Sequence, residues 1–220
     1  MQSISAVIYD LDGTLLDTEP LYVEVTRSIL SRFGHTLPPE VRARMIGRPN
    51  LVSARILVDA LGLPMTPEAF LDERESRLAE LFPRAAAMPG ARTLTMHLSK
   101  HHVPQAIATS STRQGLDLKT TRHREWFASF AALVTREDIV NGKPAPDIFL
   151  HAAMLMGVAP DACLVFEDAP SGVDAALAAG MSVVAVPEPA YTSLVRHAHR
   201  VLPTLEAFDP REWGLPGFAA

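Results

Sequence analysis

Two aspartates separated by a single leucine, Asp10 and Asp12, follow the apolar run Ala6–Tyr9 and lead at once into Gly13 and Thr14. Carboxylates at that spacing on a turn can divide a displacement between them: one attacks, the other moves a proton. Three further stretches carry groups that are costly to bury: Thr109-Ser110-Ser111, Gly142-Lys143-Pro144 and Glu167-Asp168. Gathered at one edge, they make a cluster of up to four carboxylates, several hydroxyls and one ammonium. Acids so crowded repel one another by several kcal/mol per close pair at an effective dielectric of about 20. They need a cation.

An all-oxygen donor set suits Mg²⁺, which takes one or two carboxylates together with waters and phosphate oxygens. The carboxylates of Asp10 and Asp168 and the backbone carbonyl of Asp12 would supply its protein ligands. Thr109 and the amides after it can donate to phosphate oxygens, and Lys143 offers a compact positive charge. A phosphoryl group is the guest this set fits. Asp10 is then a nucleophile that forms an aspartyl phosphate. Asp12 protonates the leaving oxygen and later takes a proton from the hydrolytic water. Gly13 permits the tight turn, and Thr14 is expected to orient the carboxylates. Taken singly, these residues have plainer readings: Asp10 and Asp12 as turn residues, Lys143 as a surface lysine, Thr109 to Ser111 as a helix-capping cluster. Their joint occurrence outweighs those readings.

The elements that must position these groups can be read from periodicity. Short apolar runs at residues 5–9, 104–109, 131–135, 163–166 and 182–186 predict buried strands, and helical spacing separates them at 91–100, 146–157 and 172–179. That alternation predicts a doubly wound α/β fold with a parallel sheet. Between the first strand and the second, the text is helical throughout, with starts near Glu19, Pro39, Asn50 and Thr66. The expected organisation is therefore a catalytic α/β core of residues 1–18 and 85–220 with an all-helical cap of residues 19–84 inserted after the first strand. In such sheets the ligand lies beyond the carboxyl ends of the strands, so a module inserted there is placed to act as a lid. Arg48, in the cap turn Gly47-Arg48-Pro49-Asn50, is a candidate substrate contact.

The 220 residues carry a formal charge of −5, which argues against a broad basic footprint for nucleic acid. No segment has the length and apolarity of a membrane span, and no secretory leader is apparent, so the expectation is a cytoplasmic protein without a membrane partner. Nothing in the pattern indicates an oligomeric state. Cys163, the single cysteine, reads as a buried small hydrophobe. Met45, Met65, Met88, Met154 and Met156 read as core filler.

The stretches "DLDGTLLDTE", "IATSS", "GKPAPDIF" and "VFEDAPSGVDAALAAGM" resemble, in order and spacing, the motifs of the haloacid dehalogenase-like hydrolases that carry a helical cap after the first motif. The resemblance implies a Rossmann-like core and Mg²⁺-dependent chemistry. In it Asp10 is nucleophile, Asp12 acid and base, Thr109 and the Ser110 amide phosphate donors, Lys143 a phosphate contact and Asp168 a metal ligand. Glu167 is left open between direct and water-mediated metal binding. Outside the motifs, "LFPRAAAMPG", "LKTTRHREWFASF" and "WGLPGF" resemble the pseudouridine-5′-phosphatase group and its relatives. That likeness implies a small nucleoside-like or sugar monophosphate as partner, with Arg113 contacting the part beyond phosphate.

Three activities compete. One is hydrolysis of a small phosphate monoester. A second is a sugar-phosphate mutase resembling β-phosphoglucomutase, disfavoured because Tyr22 stands where those mutases carry a cap histidine. The third is a non-enzymatic phospho-signalling module, which would have no use for Asp12 as a proton donor. A true dehalogenase would need neither Asp12 nor the metal-binding acids.

Overall fold

The computed structural model describes residues 4–45 and 50–218. Six strands form one parallel sheet in the order β5-β4-β1-β6-β7-β8. They are β1 (Ala6–Tyr9), β4 (Gln105–Ala108), β5 (Ala132–Val134), β6 (Cys163–Glu167), β7 (Ser182–Ala185) and β8 (Arg200–Val201). Two short strands, β2 (Leu16–Asp17) and β3 (Ala86–Ala87), pair antiparallel through Leu16 with Ala87 and Asp17 with Ala86. Helices α1 (Glu19–Ser31), α2 (Pro39–Met45), α3 (Asn50–Leu61) and α4 (Pro67–Leu81) fill the interval between β2 and β3. Among the described residues α5 (Ala91–Lys100), α6 (Arg113–Lys119), α7 (Arg124–Phe127), α8 (Asp147–Met156) and α9 (Pro170–Ala178) complete the set of α-helices. Backbone contacts divide the chain into Met1–Asp17 with Ala86–Ala220, and Thr18–Ala85.

The first unit is an open sheet covered on both faces, as its continuous apolar strands require. β1 is central and fully buried, pairing with β4 through Ile8 and Ala106 and with β6 through Ile8 and Val165. Alternate residues serve opposite faces. Ala6, Ile8, Ala108, Val165 and Val183 pack with Ile148, Phe149 and Ala152 of α8 and Val173 and Ala176 of α9. On the other face Tyr9 stacks on Phe166 at 5.3 Å, and Phe166 meets Phe208 edge-on at 4.8 Å. The Tyr9 hydroxyl donates to Gln105 Oε1 at 3.0 Å, and Gln105 Nε2 to the Thr95 carbonyl at 2.9 Å, so these buried polar groups are satisfied. Cys163 is fully buried, and burial pushes its thiol up to about 11. Met154 departs from the expectation of core filler, being 64 % exposed. It lies on the solvent side of α8, opposite Ala152 and Ala153.

The second unit buries Leu21, Val25, Ile29 and Leu30 of α1, Ala54 and Leu57 of α3 and Phe70 and Leu78 of α4. Thr66 caps α4 by accepting from the Ala69 amide at 3.1 Å, and Glu73 of that helix pairs with Arg32 at 2.5 Å and Arg77 at 2.6 Å. Tyr22 packs its ring on Phe82 at 5.9 Å. No helix among the described residues is long and apolar enough to cross a membrane.

Candidate active site

The chemistry-bearing groups stand where strands of the parallel sheet end. The ladder of β1 continues one residue past the strand, as the Asp10 amide donates to the Phe166 carbonyl at 2.9 Å. The chain then turns sharply: the amides of Leu15 and Leu16 return to the Leu11 carbonyl at 3.0 and 2.9 Å, and that of Gly13 to Leu16 at 2.8 Å. Gly13 has a φ of +79°, a left-handed conformation glycine adopts without steric cost. Its missing side chain also matters, because a Cβ there would lie 2.5 Å from Asp168 Oδ2.

Lys143 binds the acids together. Its ammonium donates to Asp10 Oδ1 at 2.5 Å, Glu167 Oε1 at 2.6 Å and the Ala108 carbonyl at 3.1 Å. It also lies 4.9 Å from the centroid of the Phe149 ring. The loop that presents it is pinned to the start of α8, where Asp147 Oδ1 accepts from the Asn141 amide at 3.2 Å and side chain at 3.1 Å. Burial works against its charge, and Asp10 and Glu167 outweigh that, so the Lys143 pKa is raised and the group stays protonated.

Glu167, at the end of β6, is buried with both oxygens engaged. Oε1 accepts from Lys143, and Oε2 from the amides of Asp168 at 2.9 Å and Ala169 at 3.0 Å. It serves as the anvil for Lys143, and it fits only because residue 172 is glycine: a Cβ there would stand 1.6 Å from Oε1.

Asp10 and Asp168 are under strain of charge. Burial, then Glu167 and Asp12, push Asp10 up to about 7 against the pull of Lys143. Asp168 is raised well above the carboxylate range by burial, then by Glu167 and Asp10. Asp10 Oδ2 and the Asp168 carboxylate receive no hydrogen bond from the described residues. Mutual repulsion with unpartnered oxygens is the signature of a cation site. Among the described residues no three His, Cys, Asp or Glu side chains form a metal cage. The carboxylates of Asp10 and Asp168 with the carbonyl of Asp12 would make an all-oxygen set that fits Mg²⁺, an ion that keeps several waters.

Thr109 is buried past the end of β4, its amide donating to the Val134 carbonyl at 3.0 Å and its hydroxyl accepting from the Ser111 amide at 3.0 Å. Ser110 is exposed beside it. The helix cap falls later, on Thr112, which accepts from the Gly115 amide at 3.1 Å. Arg113 braces the loop through Nη2, which donates to Asp138 at 2.9 Å and to the Leu133 carbonyl at 3.1 Å. Thr14 departs from its expected use. Its hydroxyl is buried with no hydrogen-bond partner among the described residues, so it orients no carboxylate. Arg48 lies outside the described residues.

One residue escaped the sequence reading. Lys119, at the end of α6, is 2 % exposed and places its ammonium 2.7 Å from Asp12 Oδ1, 2.8 Å from Oδ2 and 2.7 Å from Ser111 Oγ. Nothing in its neighbourhood, a Leu-Lys-Thr-Thr stretch, sets it apart from a surface lysine.

Residues 7–186 match the family model of the haloacid dehalogenase-like hydrolases. The chain is 46 % identical over 226 residues to (DL)-glycerol-3-phosphatase 2 of Arabidopsis thaliana, covering 98 % of this chain and 93 % of that protein. It is 42 % identical to a Drosophila melanogaster protein named "Probable pseudouridine-5′-phosphatase", covering 99 % of this chain and 97 % of the other. Among solved structures, a HAD family hydrolase from Deinococcus radiodurans R1 with bound phosphate and sodium superposes with a TM-score of 0.76. It is 28 % identical, and 92 % of each chain is covered.

Proposed function

The chain belongs to the haloacid dehalogenase-like hydrolases and is a phosphatase of small phosphorylated metabolites; from that premise we propose that it is a Mg²⁺-dependent monoesterase working through an aspartyl phosphate on Asp10. Its substrate is a small polyol or nucleoside-type monophosphate, of the kind named for its glycerol-3-phosphatase and pseudouridine-5′-phosphatase relatives.

Asp10 attacks phosphorus as the bond to the leaving oxygen breaks, and Asp12 gives that oxygen a proton. In the second step water attacks the phosphoenzyme, its proton goes to Asp12, and the Asp10–phosphorus bond breaks. Lys143 holds the nucleophile through Oδ1 while Oδ2 has no hydrogen bond among the described residues, and its charge offsets that of the incoming dianion. Thr109 and the Ser110 amide donate to phosphoryl oxygens. Asp10, the Asp12 carbonyl and Asp168 would hold Mg²⁺, which supplies positive charge against the phosphoryl oxygens.

The observation that supports this reading best is the pair of raised, crowded carboxylates, Asp10 and Asp168, beside a lysine that takes one oxygen of Asp10. Such a group is built to receive a cation and a phosphoryl dianion together. A phosphate-release screen with Mg²⁺ across glycerol phosphates, pseudouridine 5′-phosphate, other nucleoside monophosphates and sugar phosphates tests it. Release from one of these classes is expected. Conversion of β-glucose 1-phosphate to an isomer without free phosphate would replace hydrolysis by the mutase reaction.

A further inference from the structure

We propose that Lys119 is a positioning residue that, with Ser111, fixes the carboxylate of Asp12 for proton transfer; this rests on the acid/base reading of Asp12 given above. Burying an ammonium costs several kcal/mol unless its partners compensate, and α6 is short, so the fold gains little from a lysine there that an apolar residue would not give. What Lys119 does have is three oxygens within 2.8 Å: both of Asp12 and the Ser111 hydroxyl. Ser111 Oγ in turn donates to Asp12 Oδ2 at 3.0 Å, closing a triangle of lysine, serine and aspartate.

Asp12 needs such a brace. It sits on a turn next to a left-handed glycine, its side chain is 28 % exposed, and rotation of a carboxylate about its last bond is intrinsically broad. Contacts to both oxygens fix the plane of the group as well as its position. Proton transfer demands a donor within about 3 Å of the leaving oxygen, and a misplacement of about 1 Å can cost roughly 100-fold. The same serine carries its amide to Thr109 Oγ1. The triangle therefore ties the proton-transfer group to the loop that is to receive phosphate, two parts of the site that lie nearly a hundred residues apart in the chain.

The leaving group separates this role from a structural one. With glycerol 3-phosphate, the carbon–oxygen fragment must gain a proton from Asp12 as its bond to phosphorus breaks. With p-nitrophenyl phosphate, the phenolate departs with the electron pair and no proton, so phosphorylation of Asp10 proceeds without the acid. Steady-state kcat/KM, which reports only steps through that first departure, is measured for both esters with Mg²⁺ on the unaltered enzyme, Lys119→Met, Lys119→Arg, Ser111→Ala and Asp12→Asn. Lys119→Met is expected to lose about 100-fold on glycerol 3-phosphate and at least tenfold less on p-nitrophenyl phosphate. Ser111→Ala should show the same preference more weakly, and Lys119→Arg should recover part of the loss. Far-UV circular dichroism confirms folding, and Ser111→Ala decides the matter should Lys119→Met not fold. Equal losses on the two esters, or none, overturn the proposal when Asp12→Asn does discriminate between them. An Asp12→Asn enzyme that does not discriminate overturns the acid/base reading and the proposal with it.

Discussion

Replacing Gly172 with alanine sets two physical effects against each other. Gly172 lies within α9 with ordinary helical backbone, and helix propensity alone favours alanine there by up to about 1 kcal/mol. The Cβ, however, would stand 1.6 Å from Glu167 Oε1 and 1.9 Å from its Cδ, short of the ordinary 3.4 Å contact by 1.8 Å at the closer atom. The helix cannot retreat cheaply, because Val173, Ala175 and Ala176 are fully buried. Glu167 must therefore leave its seat, forfeiting Lys143 and the amides of Asp168 and Ala169. Overpacking costs about 1–3 kcal/mol, and the loss of even one hydrogen bond to a charged group about 1.5–3; less about 1 for propensity, the loss is at least about 1.5–5 kcal/mol. For a chain of this size that lowers Tm by roughly 3–20 °C. Urea unfolding followed by the fluorescence of Trp126 and Trp213, both in the α/β unit, measures it. The second arm is Glu167→Ala. If the clash is the cause, adding Gly172→Ala to that background costs little, and the double variant falls short of additivity by about 3 kcal/mol. A Gly172→Ala protein as stable as the parent, or costs that simply add, would refute the assignment of Glu167 to this seat.

Three further outcomes are expected. Asp10→Asn should lower phosphate release by roughly 10⁴-fold or more, since an amide is a poor nucleophile; near-normal turnover in a phosphate assay would remove Asp10 from that role. Lys143→Ala leaves Asp10 and Glu167 facing each other without their shared cation, so kcat/KM should fall about 10²–10³-fold, and an unchanged value would count against Lys143. Chelation with EDTA should stop activity and Mg²⁺ restore it, with a pH dependence set by Asp10. Its pKa in the folded protein is about 7, above the ordinary 3.8, so the folded state holds this proton more tightly than the unfolded chain does. Its contribution to stability is then complete below about pH 4 and lost as pH rises through about 7. The gain in Tm from Mg²⁺, measured by thermal melts, should therefore grow between pH 5 and pH 8; a gain that is flat across that range would separate the metal from Asp10.

The α/β alternation was legible because its signals are local. β1, β4, β6 and β7 centre on short apolar runs, and the breaks that bound them, such as Gly157 and Gly180, carry their left-handed conformations in the residue type itself. The elements that periodicity did not disclose are short or paired at long range. β2 and β3 are two residues each and exist only because Leu16 and Asp17 meet Ala87 and Ala86 from the far side of four helices. β8 is equally short and gains its identity from pairing with β7. Its sequence, Arg-Val, carries no strand signal of its own.

The site divides along the same line. Asp10, Asp12, Thr109, Lys143 and Asp168 could be proposed from the sequence because acids, hydroxyls and a lysine are conspicuous where apolar runs stop. The roles of Glu167 and Lys119 could not, because each depends on a partner distant in the chain. Glu167 reads as one of two adjacent acids; only the space over Gly172 and the two amides that follow it show that it supports Lys143, while the Asp168 carboxylate has no hydrogen bond among the described residues. Lys119 follows a leucine in a short helix, and its meaning lies in a carboxylate more than a hundred residues away. The two lysines thus divide the acids between them: Lys143 pairs with Asp10, the proposed nucleophile, and Lys119 with Asp12, the proposed acid and base. Two neighbouring aspartates of one turn can act differently because each has its own buried ammonium, so removing Lys143 should bear first on Asp10 and removing Lys119 on the proton transfers proposed for Asp12.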